Sequence, residues 1–529
     1  MKVYLSNNRG FLWYQKNNLF FKGYFFIEDT FYEKENALNY ISKIVNYEDL
    51  KKFIAKINGV FTILKKEENT LFLVSDISRS FPVFYAKNKK NWLFSDDINF
   101  IQNQLKEFNY DALSELEFRA SNHTHGDKTL LKDIYQIQSS EYILFVDDKI
   151  NERNFYFSYS TDKESTLSYR KLKEQAIYSF ENSFKRFIKS INNKTIVIPL
   201  SGGFDSRLIA VMLKKYNYKN VICFTYGRKD SFEIENSKKT AEKLNFEWHF
   251  IEYTNELISK FLTTKQFKNY AHFAGKLSSM PYLQEYFAIK LLKEKQIIPQ
   301  DAIFVPGFAG DILGGSEYSK NISKNLNHCN IAKLILNKKM TNYSFSNDEK
   351  KLVIAEIKNN LALFDENYKI KIPETVFDNY NLKERITKYI FNSASYYTFF
   401  DYQFRFPFWD KELLIFFKDL PVKYKQEKLL FDDVLINDFF KPFGVHFAKE
   451  IQPTKKQIQI QKIKDKIKPF LPNHFKERIL EKHDWNNYKP ITDQMSIELN
   501  NRNIKVKKLY KDYNEIISQW YINFSKKKI

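Results

Sequence analysis

The chain has 529 residues, 43% of them apolar, and a formal net charge of +21. This length predicts two or three domains with sizeable cores. Its two cysteines, Cys223 and Cys329, exclude a disulfide framework and a cysteine-based zinc site. The sequence contains neither the apolar core of a signal peptide nor a run of about 18 apolar residues. We therefore expect a cytoplasmic protein without a membrane span, and peripheral membrane association stays open.

The positive charge is a weaker guide to partners. It is compatible with nucleic acid, an acidic polysaccharide or an anionic membrane surface. The chain is also rich in Lys, Asn, Ile, Phe and Tyr, whose codons are rich in A and T, so genome composition accounts for much of the bias. We expect no nucleic-acid partner on this evidence.

Short apolar runs separated by turns dominate the first 150 residues. They lie at 24–27, 60–64, 71–74, 83–85 and 142–146, and predict a strand-rich domain. The polar stretch 158–165 suits a linker. From residue 320 onward the pattern is mostly helical, and from about 455 it is Lys-rich and amphipathic.

The most informative segment is Ser201-Gly202-Gly203-Phe204-Asp205-Ser206, which lies between an apolar run at 195–200 and a helix-like run at 207–215. A strand, a Gly/Ser turn and a helix N-terminus together form a cradle for phosphate, because free N–H groups and the helix dipole face the ligand. A carboxylate beside a polyphosphate predicts a magnesium ion between them. The alternative is a polar turn without a ligand. For Arg207 we weigh a phosphate contact against a solvated surface position.

Strand-like runs at 220–227 and 247–253, with a helix between them, predict a parallel sheet. Ligands bind such sheets at the carboxyl ends of the strands. Thr225, Tyr226 and Gly227 fall at one such end and either border a nucleotide or form a plain turn. A second Gly-rich loop, 306–315, follows another apolar run and contains Gly310 and Asp311. Asp311 is predicted to approach the same magnesium as Asp205.

The S-G-G-x-D-S pattern resembles the pyrophosphate loop of the ATP pyrophosphatase (PP-loop) superfamily. Over residues 1–450 the chain is similar to the asparagine synthetase B family within it. The resemblance rests on matches in the family's order along the chain, at 57–61, 75–76, 81–85, 94–96, 126–134, 404–410 and 426–430.

This resemblance implies three parts. Residues 1–157 would be an α+β glutaminase-like (Ntn-type) sandwich domain, and residues 158–455 an α/β parallel-sheet PP-loop synthetase domain with a helical extension. Residues 456–529 would be a basic helical tail. The family's glutaminases begin with a nucleophilic cysteine, whereas here Lys2 follows Met1 and no cysteine precedes Cys223. The N-terminal domain is therefore expected to be inactive as a glutaminase.

The resemblance also implies the site. Asp205, Asp311 and Lys428 are expected to be catalytic. Asp205 and Asp311 are also expected to bind magnesium. The residues expected to bind ATP and pyrophosphate are Ser201, Gly202, Gly203, Asp205, Ser206, Thr225, Tyr226, Gly227 and Gly310. The sequence departs from the family pattern at two positions: Phe308 replaces a glutamate, and Asp432 replaces a basic residue. These differences indicate a changed substrate or a weakened site.

The expected reaction is adenylation of a carboxylate, with ATP and Mg²⁺ as cofactors, followed by transfer of the acyl group to ammonia or an amine. The carboxylate belongs to a small molecule or a glycan, and the ammonia comes free or from a separate glutaminase. An arginine after the loop resembles enzymes that amidate sugar acids of surface polysaccharides. Alternatives are asparagine synthesis, intramolecular amide formation as in β-lactam synthetases and lasso-peptide cyclases, a tRNA-modifying PP-loop enzyme, and a non-catalytic scaffold. The pair His123 and His125 is expected to hold no metal.

Overall fold

The computed structural model describes residues 1–89, 91–105, 107–231, 233–316, 326–447, 472–505 and 513–526. The side chains of Asp311, Asn473, His474 and Lys476 lie outside this description. In the described ranges no helix combines the length and apolar character needed to cross a membrane.

The N-terminal part contains two β-sheets. Their strands are Lys2–Tyr4 (β1), Trp13–Lys16 (β2), Leu19–Ile27 (β3), Thr30–Glu33 (β4), Asn58–Glu67 (β5), Thr70–Ser75 (β6), Phe84–Asn88 (β7), Asn91–Ser95 (β8), Ile134–Gln136 (β9), Glu141–Val146 (β10) and Lys149–Phe155 (β11). One sheet has the strand order β1-β8-β7-β9, and the other has the order β11-β10-β6-β5-β3-β2 with β4 paired to β3. The five predicted apolar runs fall within or overlap β3, β5, β6, β7 and β10.

The two sheets pack face to face, and helices cover their outer faces. Side chains alternate along each strand, so Leu71 and Leu73 of β6 join the core between the sheets, while Phe72 and Val74 join the core beneath helices Lys34–Ile41 and Tyr47–Lys56. On the other side, helix Ile98–Leu105 contacts β7 and β8. The alternation of apolar residues in these strands thus reflects burial on both faces.

A parallel sheet forms the centre of the second part. Its strands are Ile196–Pro199 (β12), Val221–Gly227 (β13), Glu247–Glu252 (β14), Ile303–Phe304 (β15) and Gln403–Phe404 (β16). Their order is β14-β13-β12-β15-β16, and all four pairings are parallel. This confirms the predicted parallel sheet. The chain runs outward from β12 in both directions, so the carboxyl end of β12 is the switch point where open α/β sheets bind ligands.

Helices surround this sheet and account for most of the remaining chain. Besides the three helices already given for the N-terminal sheets, the α-helices of the described residues up to 447 are Ala112–Ser121, Tyr169–Lys189, Phe204–Lys215, Glu233–Leu244, Asn255–Phe261, Lys265–Gly275, Tyr286–Glu294, Gly310–Leu313, Ile331–Lys339, Asn347–Phe364, Pro373–Asn381, Ser395–Phe399, Lys411–Asp419, Val422–Lys425 and Leu429–Asp433. Residues Leu382–Ile390 and Val434–Phe440 are π-helical. Single 3₁₀ turns lie at Tyr368–Ile370, Phe391–Ala394, Pro407–Trp409, Gln426–Lys428 and Lys441–Phe443.

Buried polar contacts join the N-terminal sheets to the second part. Arg186 donates from Nε and Nη2 to both carboxylate oxygens of Asp410, at 2.7 and 2.8 Å. Asn58 of β5 donates to the same carboxylate at 2.6 Å. The stretch 158–165 also packs closely, since the Tyr159 amide donates to the side chain of Asn379 at 2.8 Å. A bidentate Arg–carboxylate pair fixes orientation as well as distance, so Arg186 holds the Asp410 carboxylate in place for the bond from Asn58 of the N-terminal part.

The last described segments are helical and partly buried. Their helices are Asn473–Lys482, Lys489–Asn500 and Tyr513–Ser525. Trp520 is fully buried and its ring packs near Phe267, at 6.1 Å between centroids. The backbone amide of Arg228 donates to the Trp485 carbonyl at 2.9 Å. Residues beyond 472 therefore contribute to the main core and to the sheet edge near β13.

Candidate active site

The loop after β12 is held by its own serine side chains. The Ser201 amide donates to Ser206 Oγ at 3.1 Å, and the Gly203 amide donates to Ser201 Oγ at 3.1 Å. Gly203 is the N-cap of helix Phe204–Lys215 and makes no side-chain cap bond. The first N–H groups of this helix therefore remain available for an anion.

This loop borders a cavity of about 620 Å³ at the carboxyl edge of the parallel sheet. The predicted residues that line it are Ser201, Gly202, Gly203, Asp205, Ser206, Thr225, Tyr226 and Lys428. Gly227 does not line it, because its Cα faces the Trp485 carbonyl, which would lie 2.5 Å from a Cβ at that position. The structure thus brings together most of the residues that the sequence singles out, from elements more than 200 residues apart.

The second glycine-rich loop packs directly on the first. A Cβ at Gly307 would lie 2.7 Å from the Ser206 amide nitrogen, and one at Gly310 would lie 2.6 Å from Cγ of Asp205. Real Cβ atoms essentially never approach so closely, so a side chain at Gly307 would collide with the loop backbone, and one at Gly310 would displace the Asp205 carboxylate. Gly310 does not line the cavity, but it sets how near the second loop comes to the Asp205 carboxylate.

The donors present suit a magnesium ion bound together with phosphate. Asp205 supplies a carboxylate in the first turn of its helix, and Mg²⁺ is commonly held by one or two carboxylates plus phosphate oxygens. Asp311, the second predicted ligand, belongs to helix Gly310–Leu313, and its side chain lies outside the described residues. Its role as a ligand therefore stays a prediction.

Arg207 takes neither of the two positions considered from sequence. Its side chain is 1% exposed, and its guanidinium donates to the carbonyls of Gly202 at 2.7 Å and Val445 at 3.0 Å. The guanidinium carbon lies 5.0 Å from the ring centroid of Phe440 and 4.7 Å from that of Phe447. Arg207 therefore anchors the loop to the segment near residue 445.

Lys428 lies at the wall of the cavity. It has a left-handed backbone conformation, with φ of 58°, and its Nζ lies 5.2 Å from the ring centroid of Phe204 in the loop helix. The same nitrogen pairs with Asp432 Oδ1 at 3.3 Å. Asp432 thus offsets part of the charge that Lys428 brings to the cavity.

Two carboxylates of the cavity were not found from sequence. Glu285 is 5% exposed, accepts a hydrogen bond from the Tyr397 hydroxyl, and has its pKa raised to about 7 by burial. Burial also raises the pKa of Glu233, which lines the cavity and whose backbone packs against Gly202. Phe308, at the position where the sequence resemblance implies a glutamate, packs against Phe406 at 5.8 Å between centroids. The cavity therefore contains acidic groups, although position 308 is apolar.

Trp485 and Asn486 also line the cavity. They belong to the region that the sequence assigned to a basic tail, and no motif marks them. Glu285 likewise lies in an ordinary amphipathic stretch. Only three-dimensional proximity identifies these residues, since Glu285 and the turn at 485–486 lie far apart in the sequence.

A buried histidine pair lies apart from this cavity. Nδ1 and Nε2 of His125 bond to the hydroxyls of Tyr380 and Ser121, at 2.8 and 2.9 Å. His123 and His125 with Glu384 form the cluster of potential metal ligands found among the described residues. The Lys388 ammonium, however, lies 2.8 Å from the Glu384 carboxylate. The positive charge that a metal would bring is therefore already supplied by a lysine.

Comparisons with known proteins bear on the parallel-sheet part. Residues 194–279 match the model of the family described as "Queuosine biosynthesis protein QueC". No curated protein matches the chain. An NH3-dependent NAD synthetase from Campylobacter jejuni, in complex with the nitrate ion, is 18% identical, with 39% of this chain and 98% of that chain covered and a TM-score of 0.21.

Two further solved structures are similar over parts of the chain. The NMN synthetase from Francisella tularensis is 15% identical, with 41% of this chain and 96% of that chain covered and a TM-score of 0.20. The glutamine phosphoribosylpyrophosphate amidotransferase from B. subtilis, complexed with ADP and GMP, is 8% identical, with 56% of this chain and 63% of that chain covered and a TM-score of 0.18. The family match at 194–279 coincides with β12, the serine–glycine loop, β13 and β14. The match therefore falls on the part of the chain whose serine–glycine loop resembles a PP-loop.

Proposed function

We propose that the protein is an ATP-dependent amide-forming enzyme that activates a carboxylate as its acyl-adenylate. The observation that carries the proposal is the Ser201–Ser206 loop, whose helix N-terminus and Asp205 face one cavity at the switch point of the parallel sheet. A cavity of about 620 Å³ is in the range of ligand pockets that hold molecules of nucleotide size.

In the first step, a carboxylate oxygen of the substrate attacks the α-phosphorus of ATP, and the bond to the β-phosphate oxygen breaks to release pyrophosphate. The loop amides and the serine hydroxyls would hold the departing pyrophosphate, and Lys428 would neutralise part of its charge. Asp205 would hold the magnesium ion, which would supply further positive charge to stabilise the departing pyrophosphate.

In the second step, the nitrogen of ammonia or an amine attacks the activated carbonyl carbon. The bond from that carbon to the AMP oxygen breaks, and the nitrogen loses a proton as the amide forms. Glu285 is our candidate to receive this proton, because its raised pKa of about 7 suits a general base near neutral pH. Tyr397, which donates to Glu285, would position the carboxylate.

We infer that the N-terminal sheets are a glutaminase-like domain without its nucleophile. The stacked sheets flanked by helices support this proposal, as does the order of the family-like segments along the chain. The amine would then be free ammonia, ammonia from a separate glutaminase, or an amine of a second substrate. The arginine that follows the loop supports a sugar acid of a surface polysaccharide as the carboxylate, and a cytoplasmic location would suit this chemistry.

The match of residues 194–279 to a queuosine biosynthesis family favours keeping a second candidate. In it, the same loop would adenylate a base of tRNA, and the net charge of +21 would assist RNA binding. This candidate predicts that added tRNA strongly raises ATP consumption. The amide-forming candidate predicts no such stimulation.

The direct test is pyrophosphate release from ATP with ammonia and a panel of uronic acids and amino acids. We expect release with at least one acid, and its loss in Asp205→Asn. Asp301→Asn is the matched control, because Asp301 is exposed and lies outside the cavity. Absence of release with every acid, together with no effect of Asp205→Asn on ATP binding, would favour a non-catalytic scaffold.

A further inference from the structure

A second cavity lies between the N-terminal sheets and the second part of the chain. Its outer chamber, of about 360 Å³, is bordered by Asn7, Asn99, Asn269 and the ring of Phe273. A narrow inner chamber of about 30 Å³ continues inward past Asp96 and Lys276, which border both chambers. The inner volume is close to that of a single small polar group.

Cationic side chains converge on the inner chamber. Lys22 is 2% exposed, Arg79 is 4% exposed, and the half-buried Lys276 lies at the junction of the two chambers. Arg9 borders both chambers as well. Buried cations are normally paired with carboxylates, because an unpaired buried charge is costly.

The carboxylate that borders both chambers is satisfied by neutral donors. Asp96 accepts bonds from the amides of Ser6 and Asn7, at 2.9 and 3.0 Å, and from the Trp13 indole nitrogen at 2.7 Å. In the part of the chain that the structure describes, none of Lys22, Arg79 and Lys276 lies within 4.0 Å of a carboxylate oxygen.

The protein's own acceptors for these cations are neutral. Lys22 donates to the Asn7 carbonyl, and Arg79 donates to the Ile137 carbonyl at 2.9 Å and to the Gln136 side chain. Burial lowers the pKa of Lys22 to about 7 and that of Lys276 to about 8; a neighbouring cation lowers each further, whereas Asp96 raises both. The three cations therefore line the inner chamber without a direct carboxylate partner among the described residues, although carboxylates act on them at longer range.

We propose that this cavity binds a small carboxylic acid, with its carboxylate in the inner chamber among Lys22, Arg79 and Lys276. A planar carboxylate head matches the small inner volume and accepts bonds from several cationic donors at once. The amide side chains of the outer chamber would bind polar groups on the body of the acid. This site is separate from the ATP cavity and does not depend on the reaction proposed there.

The chain contains six tryptophans, two of which report on the two cavities. Trp13 bonds to Asp96 and lies 5.5 Å from the Lys22 nitrogen, whereas Trp485 lines the ATP cavity. In protein labelled with 5-fluorotryptophan, titration with succinate should shift the Trp13 fluorine resonance saturably and leave that of Trp485 unchanged. The Trp13 and Trp485 resonances are assigned with the Trp13→Phe and Trp485→Phe variants.

Lys276→Gln should weaken succinate binding about tenfold, because one charged donor is lost at a half-buried position. Lys265→Gln should bind as tightly as the wild type, since Lys265 is exposed on the preceding helix and lies outside the cavity. An unmoved Trp13 resonance, or equal affinity in Lys276→Gln, would overturn the proposal. Tighter binding of inorganic phosphate than of succinate at Trp13 would overturn the assignment to a carboxylate.

Discussion

Replacing Gly310 by alanine tests whether the second loop positions Asp205. The new Cβ would lie 2.6 Å from Cγ of Asp205, whereas ordinary contacts begin at 3.4 Å. The carboxylate must therefore retreat by about 0.8 Å, the difference between these distances. A misplacement near 1 Å costs about 10²-fold in rate for a positioned group, and we expect a loss of that size in pyrophosphate release.

The same substitution should leave the fold intact. Alanine has a better helix propensity than glycine by about 1 kcal/mol, which offsets part of the about 1–3 kcal/mol that overpacking costs. Gly310→Ala should therefore keep a Tm within a few degrees of the wild type, while magnesium-dependent ATP binding weakens about tenfold, or about 1.4 kcal/mol. Isothermal titration calorimetry with ATP and Mg²⁺ measures this without knowledge of the carboxylate substrate.

A double-mutant cycle isolates the cause. If Gly310→Ala acts by displacing the Asp205 carboxylate, adding it to Asp205→Ala should weaken ATP binding no further. Wild-type affinity in Gly310→Ala would refute the steric reasoning. Fully additive effects of the two substitutions would show that Gly310 acts through some other group.

Three further changes test the loop anchor and the cavity walls. Arg207→Met should lower the free energy of unfolding by about 2–4 kcal/mol, because the carbonyls of Gly202 and Val445 each lose a charged donor. Chemical denaturation measures this free energy. The same change should weaken ATP binding. Lys428→Met should reduce pyrophosphate release about 10²-fold but change stability by less than about 1 kcal/mol. Because burial raises the pKa of Glu285 from 4.5 to about 7, its protonation favours the folded state below pH 4.5, and this contribution is lost as the pH rises towards 7. Glu285→Gln should flatten the stability profile in that window by about 3 kcal/mol and remove a limb near pH 7 from the pH–rate profile.

Each of these changes has a matched control on the surface. Arg170→Met, Lys423→Met and Glu294→Gln alter exposed side chains away from the cavity and should leave stability and activity unchanged. Stability of Arg207→Met equal to that of Arg170→Met would contradict the anchor. A pH–rate limb that persists in Glu285→Gln would assign the titration to another group, and full activity in Lys428→Met would remove that lysine from the mechanism.

The parallel sheet could be predicted from sequence because its signals are local. The four residues of β12 are all apolar, since helices or neighbouring strands cover both faces of a central parallel strand. The loop that follows is also local, and its serines and glycines are adjacent in the chain. Periodicity and turn chemistry are sufficient for elements of this kind.

The environment of Arg207 could not be predicted in this way. Its ring partners Phe440 and Phe447 follow it by more than 200 residues, so nothing near Arg207 in sequence indicates burial. Glu285 reaches the cavity from the turn before helix Tyr286–Glu294. Its raised pKa arises from a packed environment that single-sequence patterns do not encode. The burial of Arg207 and Glu285 depends on long-range packing, whereas the parallel sheet follows from local sequence propensity.

The contribution of Trp485 and Asn486 to the cavity has a consequence for how the pocket is assembled during synthesis. The ribosome makes the serine–glycine loop long before it reaches these two residues, so a nascent chain would hold an incomplete pocket until the turn at 485–486 is made. Chains that terminate before this turn should therefore bind nucleotide poorly, because one wall of the pocket is missing.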